Sequence, residues 1–193
     1  LLLSAINVSA QLSSQQEAAI DSLTKVIATA NHDTTVINAW QEWSFIIYVN
    51  APNLDFELIQ KIDSLCSVNL KRNPNERERA KFLRAKSDAL NSFGIWYKRL
   101  GDYAKAINYF TKSLKIYEEI GFKNGIADIF NNIGGIYSNR GDYAKAIDYY
   151  KKSLKIYEEI GVGKIEVAIM NIGRCFADQG EYAKAVNYYT KSL

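Results

Sequence analysis

Histidine is nearly absent from this chain: His32 is the only one in 193 residues. That excludes metal centres built from clustered imidazoles, and any Ser/His/Asp site not centred on His32. His32 stands just before an expected helix start with no supporting acid or nucleophile beside it, so a solvated loop position is expected. Cysteine is scarce too. Cys66 and Cys175 lie far apart and neither belongs to a Cys-x-x-Cys pair, so two separately buried thiols are expected rather than a disulfide framework. Proline occurs only twice, which leaves long stretches free to be helix. No run approaches the roughly 20 apolar residues that a membrane-spanning helix needs. Lysines and glutamates are interspersed, with no basic face of the kind nucleic acid requires, so a nucleic-acid partner is not expected for this segment.

Two further chemistries fail on spacing. Gly161-Val162-Gly163-Lys164 superficially suggests a phosphate loop. The motif needs a glycine five residues before the Gly-Lys pair and a hydroxyl after it, and Glu158 and Ile165 stand there. The pairs Glu118-Glu119 and Glu158-Glu159 are neighbours in sequence, so their side chains diverge around a helix and read as a solvated face. The segment is expected to catalyse nothing and to hold no metal and no cofactor.

What is present is a repeat. GDYAKAINYFTKSLKIYEEIG begins at Gly101, GDYAKAIDYYKKSLKIYEEIG at Gly141 and GEYAKAVNYYTKSL at Gly180, spaced 40 and 39 residues apart. A fixed period of this size means stacked supersecondary units. Each phrase follows a second related one: LNSFGIWYKRL, FNNIGGIYSNR and IMNIGRCFADQ. Leu90, Phe93, Gly94 and Tyr97 fall at i, i+3, i+4, i+7, and Tyr103, Ala106, Ile107, Phe110, Leu114 and Tyr117 continue that helical spacing after the turn. Gly101, Gly141 and Gly180 stand where a helix end takes left-handed geometry. Asp102, Asp142 and Glu181 place negative charge at the next helix start, as the helix dipole prefers. The pattern predicts antiparallel helix pairs.

These residues resemble the tetratricopeptide repeat family. The signature is filled by Phe93-Gly94, Tyr97, Ala106 and Phe110; by Ile133-Gly134, Tyr137, Ala146 and Tyr150; and by Ile172-Gly173, Phe176, Ala185 and Tyr189. A mid-helix glycine costs roughly 1 kcal/mol against alanine, so its recurrence implies a close contact, expected against the recurring alanine. The period is about six residues longer than the family's usual one, because the second helix runs on through KIYEEIG; this extended form is similar to repeats of kinesin light chains and of bacterial signalling proteins. The helix-ending proline is absent and Gly121 and Gly161 take its place. The resemblance implies an all-α fold, a right-handed superhelical solenoid of antiparallel helix pairs, over residues 76–193.

Residues 15–75 read as degenerate capping helices: one through DSLTKVIATA, one through DTTVINAWQEWSFIIYVN capped by Asp33 or Thr34, and one through NLDFELIQKIDSLCSVNL, with a break at Arg72-Asn73-Pro74-Asn75. Trp40, Trp43, Phe45 and Tyr48 are expected in the core, with an exposed docking patch as the alternative. Residues 1–10 read as the remnant of a secretory signal, an apolar run ending in the small residues of Val8-Ser9-Ala10; an ordinary apolar helix start is the other reading. Export to a periplasmic location, or attachment to a membrane facing the periplasm, is expected. The last copy stops partway through its second helix, so a longer gene product is expected, with possible membrane anchoring through the missing C-terminal segment and possible self-association.

The resemblance also implies a concave groove lined by the first helices of the repeats. By position its residues are Asn91 and Lys98 in the first copy; Asp128, Asn131 and Asn132 in the second; and Asn171 and Arg174 in the third. Asparagine can hold a peptide backbone without reading side chains, or these residues simply face water. Some relatives clamp a terminal carboxylate with lysines, asparagines and an arginine. Asn132 and Arg174 match that arrangement, but Asn91 and Met170 replace both lysines. The expected function is to bind a protein or peptide, as the extracytoplasmic sensor or interaction segment of a bacterial signal-transduction protein. A stand-alone secreted or periplasmic adaptor is the alternative.

Overall fold

A computed structural model describes residues 12–47, 52–161 and 164–191. Among them are nine helices and no strand: α1 (Ser14–Thr29), α2 (Asp33–Ile47), α3 (Pro52–Lys71), α4 (Glu76–Arg99), α5 (Tyr103–Glu119), α6 (Lys123–Asn139), α7 (Tyr143–Ile160), α8 (Ile165–Asp178) and α9 (Tyr182–Lys191). The fold is all-α, as the sequence predicts. The chain forms two compact units, Leu1–Phe93 and Gly94–Leu193. Their boundary falls inside α4, not at the break near Pro74. The signal-like residues 1–10 and Tyr48 lie outside the described residues.

In the first unit α1 starts at Ser14, seven residues before Asp21, where the predicted helix begins. Ser13 Oγ accepts from the Gln16 N–H at 3.3 Å and Gln16 Oε1 accepts from the Ser13 N–H at 2.9 Å, a reciprocal capping box. Helix α2 corrects the expected cap: Asp33 and Thr34 are already helical, and the Thr34 N–H donates to His32 Nδ1 at 3.2 Å. His32 Nε2 also lies 3.2 Å from Glu78 Oε1. The lone histidine is therefore a helix cap and a hydrogen-bond partner of Glu78 rather than a free loop residue. Trp40 and Trp43 pack against the buried Ile47 and Leu58, whereas Phe45 is 78% exposed, contrary to the expected core position. It sits on the opposite face of α2 from Ile47, which is fully buried. Cys66 is buried and free, and burial, reinforced by Asp63, pushes its thiol up to about 12.

The second unit holds the regular repeats. After α6, Gly141 takes φ 77, and the Asp142 N–H behind it donates to the Tyr137 carbonyl at 3.0 Å. The Asp142 carboxylate then caps α7, accepting from the Lys145 N–H at 3.3 Å. Gly141 is therefore required by backbone geometry, since a side chain is strained in the left-handed region. The turn at Gly101-Asp102 repeats the arrangement.

The mid-helix glycines make a different contact from the expected one. A Cβ on Gly134 would lie 2.9 Å from two ring carbons of Tyr150, and one on Gly173 would lie 2.7 Å from the Tyr189 ring; Gly94 meets Phe110 in the same way. The glycine receives the aromatic ring four residues beyond the signature alanine. Ala106, Ala146 and Ala185 are themselves buried, and only a backbone oxygen, that of Ala146, approaches Gly134. The first-helix aromatics stack outside this core: Tyr97 on Tyr109, Tyr137 on Tyr149 and Phe176 on Tyr188, all at 5.4 Å between centroids. The C-terminal turns of the second helices are structural as well. Tyr117 packs beside Ile129 and Ile133, and Tyr157 beside Ala127 and Ala168. Each buries a further ring between neighbouring helix pairs, worth roughly 1.5–3 kcal/mol.

Candidate ligand-binding face of the repeats

The seven residues implicated by position lie on α4, α6 and α8, the first helices of the three copies. Asn91 belongs to the first unit and the other six to the second. The structure brings four of those six into two direct clusters. Asn171 Nδ2 donates to Asn131 Oδ1 at 3.0 Å, so α6 and α8 set their asparagines side by side. Lys98 and Arg174 form the second cluster, around Gly135.

Gly135 is buried and has no side chain, and the Lys98 ammonium enters that space: Nζ lies 2.6 Å from where a Cβ would be. The Tyr150 hydroxyl is 3.6 Å from the same point. That hydroxyl hydrogen-bonds with Arg174 and Ser138, and Cys175 Sγ donates to Ser138 Oγ at 3.8 Å. Burial, and next the neighbouring Arg174, hold Lys98 below its ordinary value. Burial likewise raises Tyr150 and Cys175. Neither Tyr150 nor Ser138 was singled out from the sequence as a binding residue. The available signal was the hydroxyl itself, since the equivalent of Tyr150 in the first copy is Phe110.

Asp128 is engaged within the protein. Its Oδ1 accepts from the Tyr157 hydroxyl and from Lys164 Nζ, each at 2.6 Å. Burial and this bond push the Tyr157 hydroxyl upward. Asp128 thus ties α6 to α7 and to the start of α8. Asn132 is half-buried, and Val167 and Met170 are exposed on α8. The first unit has a cleft of its own, about 360 Å³, whose lining includes Thr34, Asn38 and Gln41 of α2 with Lys81 and Asp88 of α4. Among the described residues no cluster of His, Cys, Asp or Glu is placed to hold a metal ion. None of the described helices is long and apolar enough to cross a membrane.

Two family models, both described as tetratricopeptide repeat, match residues 87–120 and 125–193. Together they span more than half of the chain, which belongs to the tetratricopeptide repeat family. No curated protein matches it in sequence. Among solved structures it is similar to the apo form of RapI, at 18% identity over 93% of this chain and 63% of that one, TM-score 0.71. A Rap protein complexed with competence and sporulation factor is similar at 17% identity over 92% of this chain and 49% of that one, TM-score 0.69. The nearly identical TPR-like repeats assigned to a kinesin light chain of Podosopora anserina match at 10% identity over 92% of this chain and 85% of that one, TM-score 0.62. This chain therefore spans less than two thirds of either Rap chain. At these identities the likeness is one of fold. Tetratricopeptide repeats make the chain a protein-interaction scaffold with protein or peptide partners.

Proposed function

We propose that this scaffold is the ligand-sensing or interaction segment of a bacterial signal-transduction protein, exported to the periplasmic side and without catalysis of its own. The observation that carries the reading is the Asn171–Asn131 pair. It brings donors and acceptors of two successive first helices onto one face beside Asn132 and Arg174, an arrangement suited to an extended peptide backbone. The likeness to a Rap protein solved with competence and sporulation factor supports a ligand-binding role for such a stack. The apolar opening segment with Val8-Ser9-Ala10 supports export.

The groove is tested by selecting linear peptides on the wild-type protein and measuring their affinity for an Asn132→Ala, Arg174→Ala variant, with melting to confirm that the variant folds. A folded variant that binds as tightly as wild type refutes it. Export is tested by fusing alkaline phosphatase, stripped of its own signal, after the chain with its natural start; enzyme activity is expected, and its absence overturns the periplasmic assignment.

A further inference from the structure

The first unit holds a cleft built on helix turns that the later first helices lack. Helix α4 runs for 24 residues, against 17 for α6 and 14 for α8, and its added turns precede the signature at Phe93-Gly94. Those turns lie beside α2, and two bridges fix the pairing. His32 Nε2 is 3.2 Å from Glu78 Oε1, and the Gln41 side-chain amide donates to Asp88 Oδ2 at 3.3 Å. The two bridges stand about 14 Å apart along the helices. In the repeats, α6 and the start of α8 are instead joined at successive turns, by Asp128 with Lys164 and by Asn131 with Asn171.

Between the bridges the two helices do not close. A cleft of about 360 Å³ remains, within the roughly 300–1,000 Å³ that small-molecule sites occupy. Its floor is apolar, made by the buried Ile37, Phe82 and Ala85. Its walls are polar, with Thr34 and the exposed Asn38 on α2 and the exposed Lys81 on α4. Each end is stopped by a bridge, so a chain lying in the cleft cannot run on through it and the occupant is compact. Charge limits its chemistry further. Lys81 and Arg84 are offset by Asp88 and, at the far bridge, by Glu78, so no net charge favours an ion. What the walls add is neutral: the Thr34 hydroxyl and the Asn38 and Gln41 amides, which both donate and accept.

We infer that this cleft is a binding site for a small neutral polyhydroxylated molecule, roughly one or two sugar rings in size. A ligand hydroxyl donates and accepts at once, which matches the amides and hydroxyl of the walls. The C–H face of a ring rests on the floor of Ile37, Phe82 and Ala85, while its hydroxyls reach Asn38 on one wall and Lys81 on the other. An amino acid fits less well, because Asp88, the carboxylate that would meet its ammonium group, already accepts from Gln41. The site belongs to the first unit and does not depend on the peptide groove, whose residues Asn131, Asn132, Asn171 and Arg174 lie in the second.

Thermal melts of the whole protein with D-glucose, D-galactose, N-acetylglucosamine, maltose or cellobiose at millimolar concentration test this. At least one sugar should raise the Tm of wild type in a saturable way, as a ligand of the folded state does. Asn38→Phe should fill the cleft and abolish the rise, and Lys81→Ala should weaken the same sugar about tenfold. Both positions are exposed, so both variants should fold. Asn132→Ala, in the other unit, should leave the rise unchanged. The site is overturned if no sugar shifts the melt, or if the rise persists undiminished in Asn38→Phe and Lys81→Ala. It is equally overturned if glycine or glutamate stabilises the protein through Asn38 and Lys81 where the sugars do not. Each of these results leaves the groove reading intact, because the selected peptides test that reading separately.

Discussion

The ring of Tyr150 lies against the backbone of Gly134, so that a Cβ there would come within 2.9 Å of two ring carbons and 3.2 Å of the Ala146 oxygen. At the adjacent Gly135 the obstacle is only the far end of Lys98, which can swing aside. These neighbours in one helix should answer differently to the same substitution. Gly134→Leu should destabilise by an overpacking cost of about 1–3 kcal/mol. Gly134→Ala should also destabilise, whereas Gly135→Ala should be near neutral or stabilising because alanine favours helix by roughly 1 kcal/mol. Urea melts of the three variants decide; equal losses for both alanine variants would contradict the close ring contact.

Asp128→Ala should cost about 1–3 kcal/mol, because it leaves the Tyr157 hydroxyl without its carboxylate acceptor. Lys164 is largely exposed, so Lys164→Ala should cost no more than about 1 kcal/mol. Neither should alter peptide affinity beyond what the stability change explains. A peptide-binding loss in a fully folded Asp128→Ala protein would return Asp128 to the ligand face.

Lys98 gives a pH signature. Its ammonium is held below the usual 10.5, so the folded chain binds that proton more weakly than the unfolded chain does. The group therefore detracts from stability below its folded pKa, and the penalty fades as pH rises through that value towards 10.5. Lys98→Met removes the penalty at every pH. The variant should be more stable than wild type near neutral pH, and the gap should close in strongly alkaline buffer. Lys105 and Lys145 are shifted upward by Asp102 and Asp142, but they are common to both proteins and cancel in the comparison. A variant less stable than wild type at neutral pH would show that Lys98 has a partner.

On α9, Tyr182 is 70% exposed and Val186 59%, whereas Ile147, the equivalent of Val186 one repeat earlier, is 7% exposed. Leu193 lies outside the described residues. Amide protons of α9 should exchange well before those of α6 and α7. Concentration-dependent sedimentation, reduced by Val186→Glu, is the expected sign that this face also joins molecules. A monomer at high concentration with a protected α9 would rule out both.

The second helices were legible almost to the residue, because a near-verbatim phrase fixes face, length and turn together. Asp102 and Asp142 cap where the phrase places them. Periodicity names a face but not a contact, which is why Gly134 was assigned to an alanine and belongs to Tyr150. Helix α1 was missed at its start because Ser13 and Gln16 carry the cap outside the apolar pattern. Phe45 was misplaced because aromatics crowd both faces of α2. The groove positions were legible as a set. Which of them bond to one another was not, since Asp128 binding Lys164 and Asn171 binding Asn131 depend on helices some 36 and 40 residues away in sequence.

Because α5 and α7 present the same buried face, either can serve as the neighbour of the other's partner. Excising residues 101–140 would join Leu100 directly to Gly141 and leave every core position occupied in kind: Gly94 would receive Tyr150 in place of Phe110, and Tyr97 would stack on Tyr149 in place of Tyr109. The pairing of side chains along the first helices would not survive that change. In the shortened array the position after the signature glycine would pass from Gly135 to Arg174, so the pit beneath Lys98 would be plugged by a guanidinium. The number of repeats can therefore drift by one without disturbing the scaffold, while the contact of Lys98 with Gly135 depends on the middle copy remaining in place.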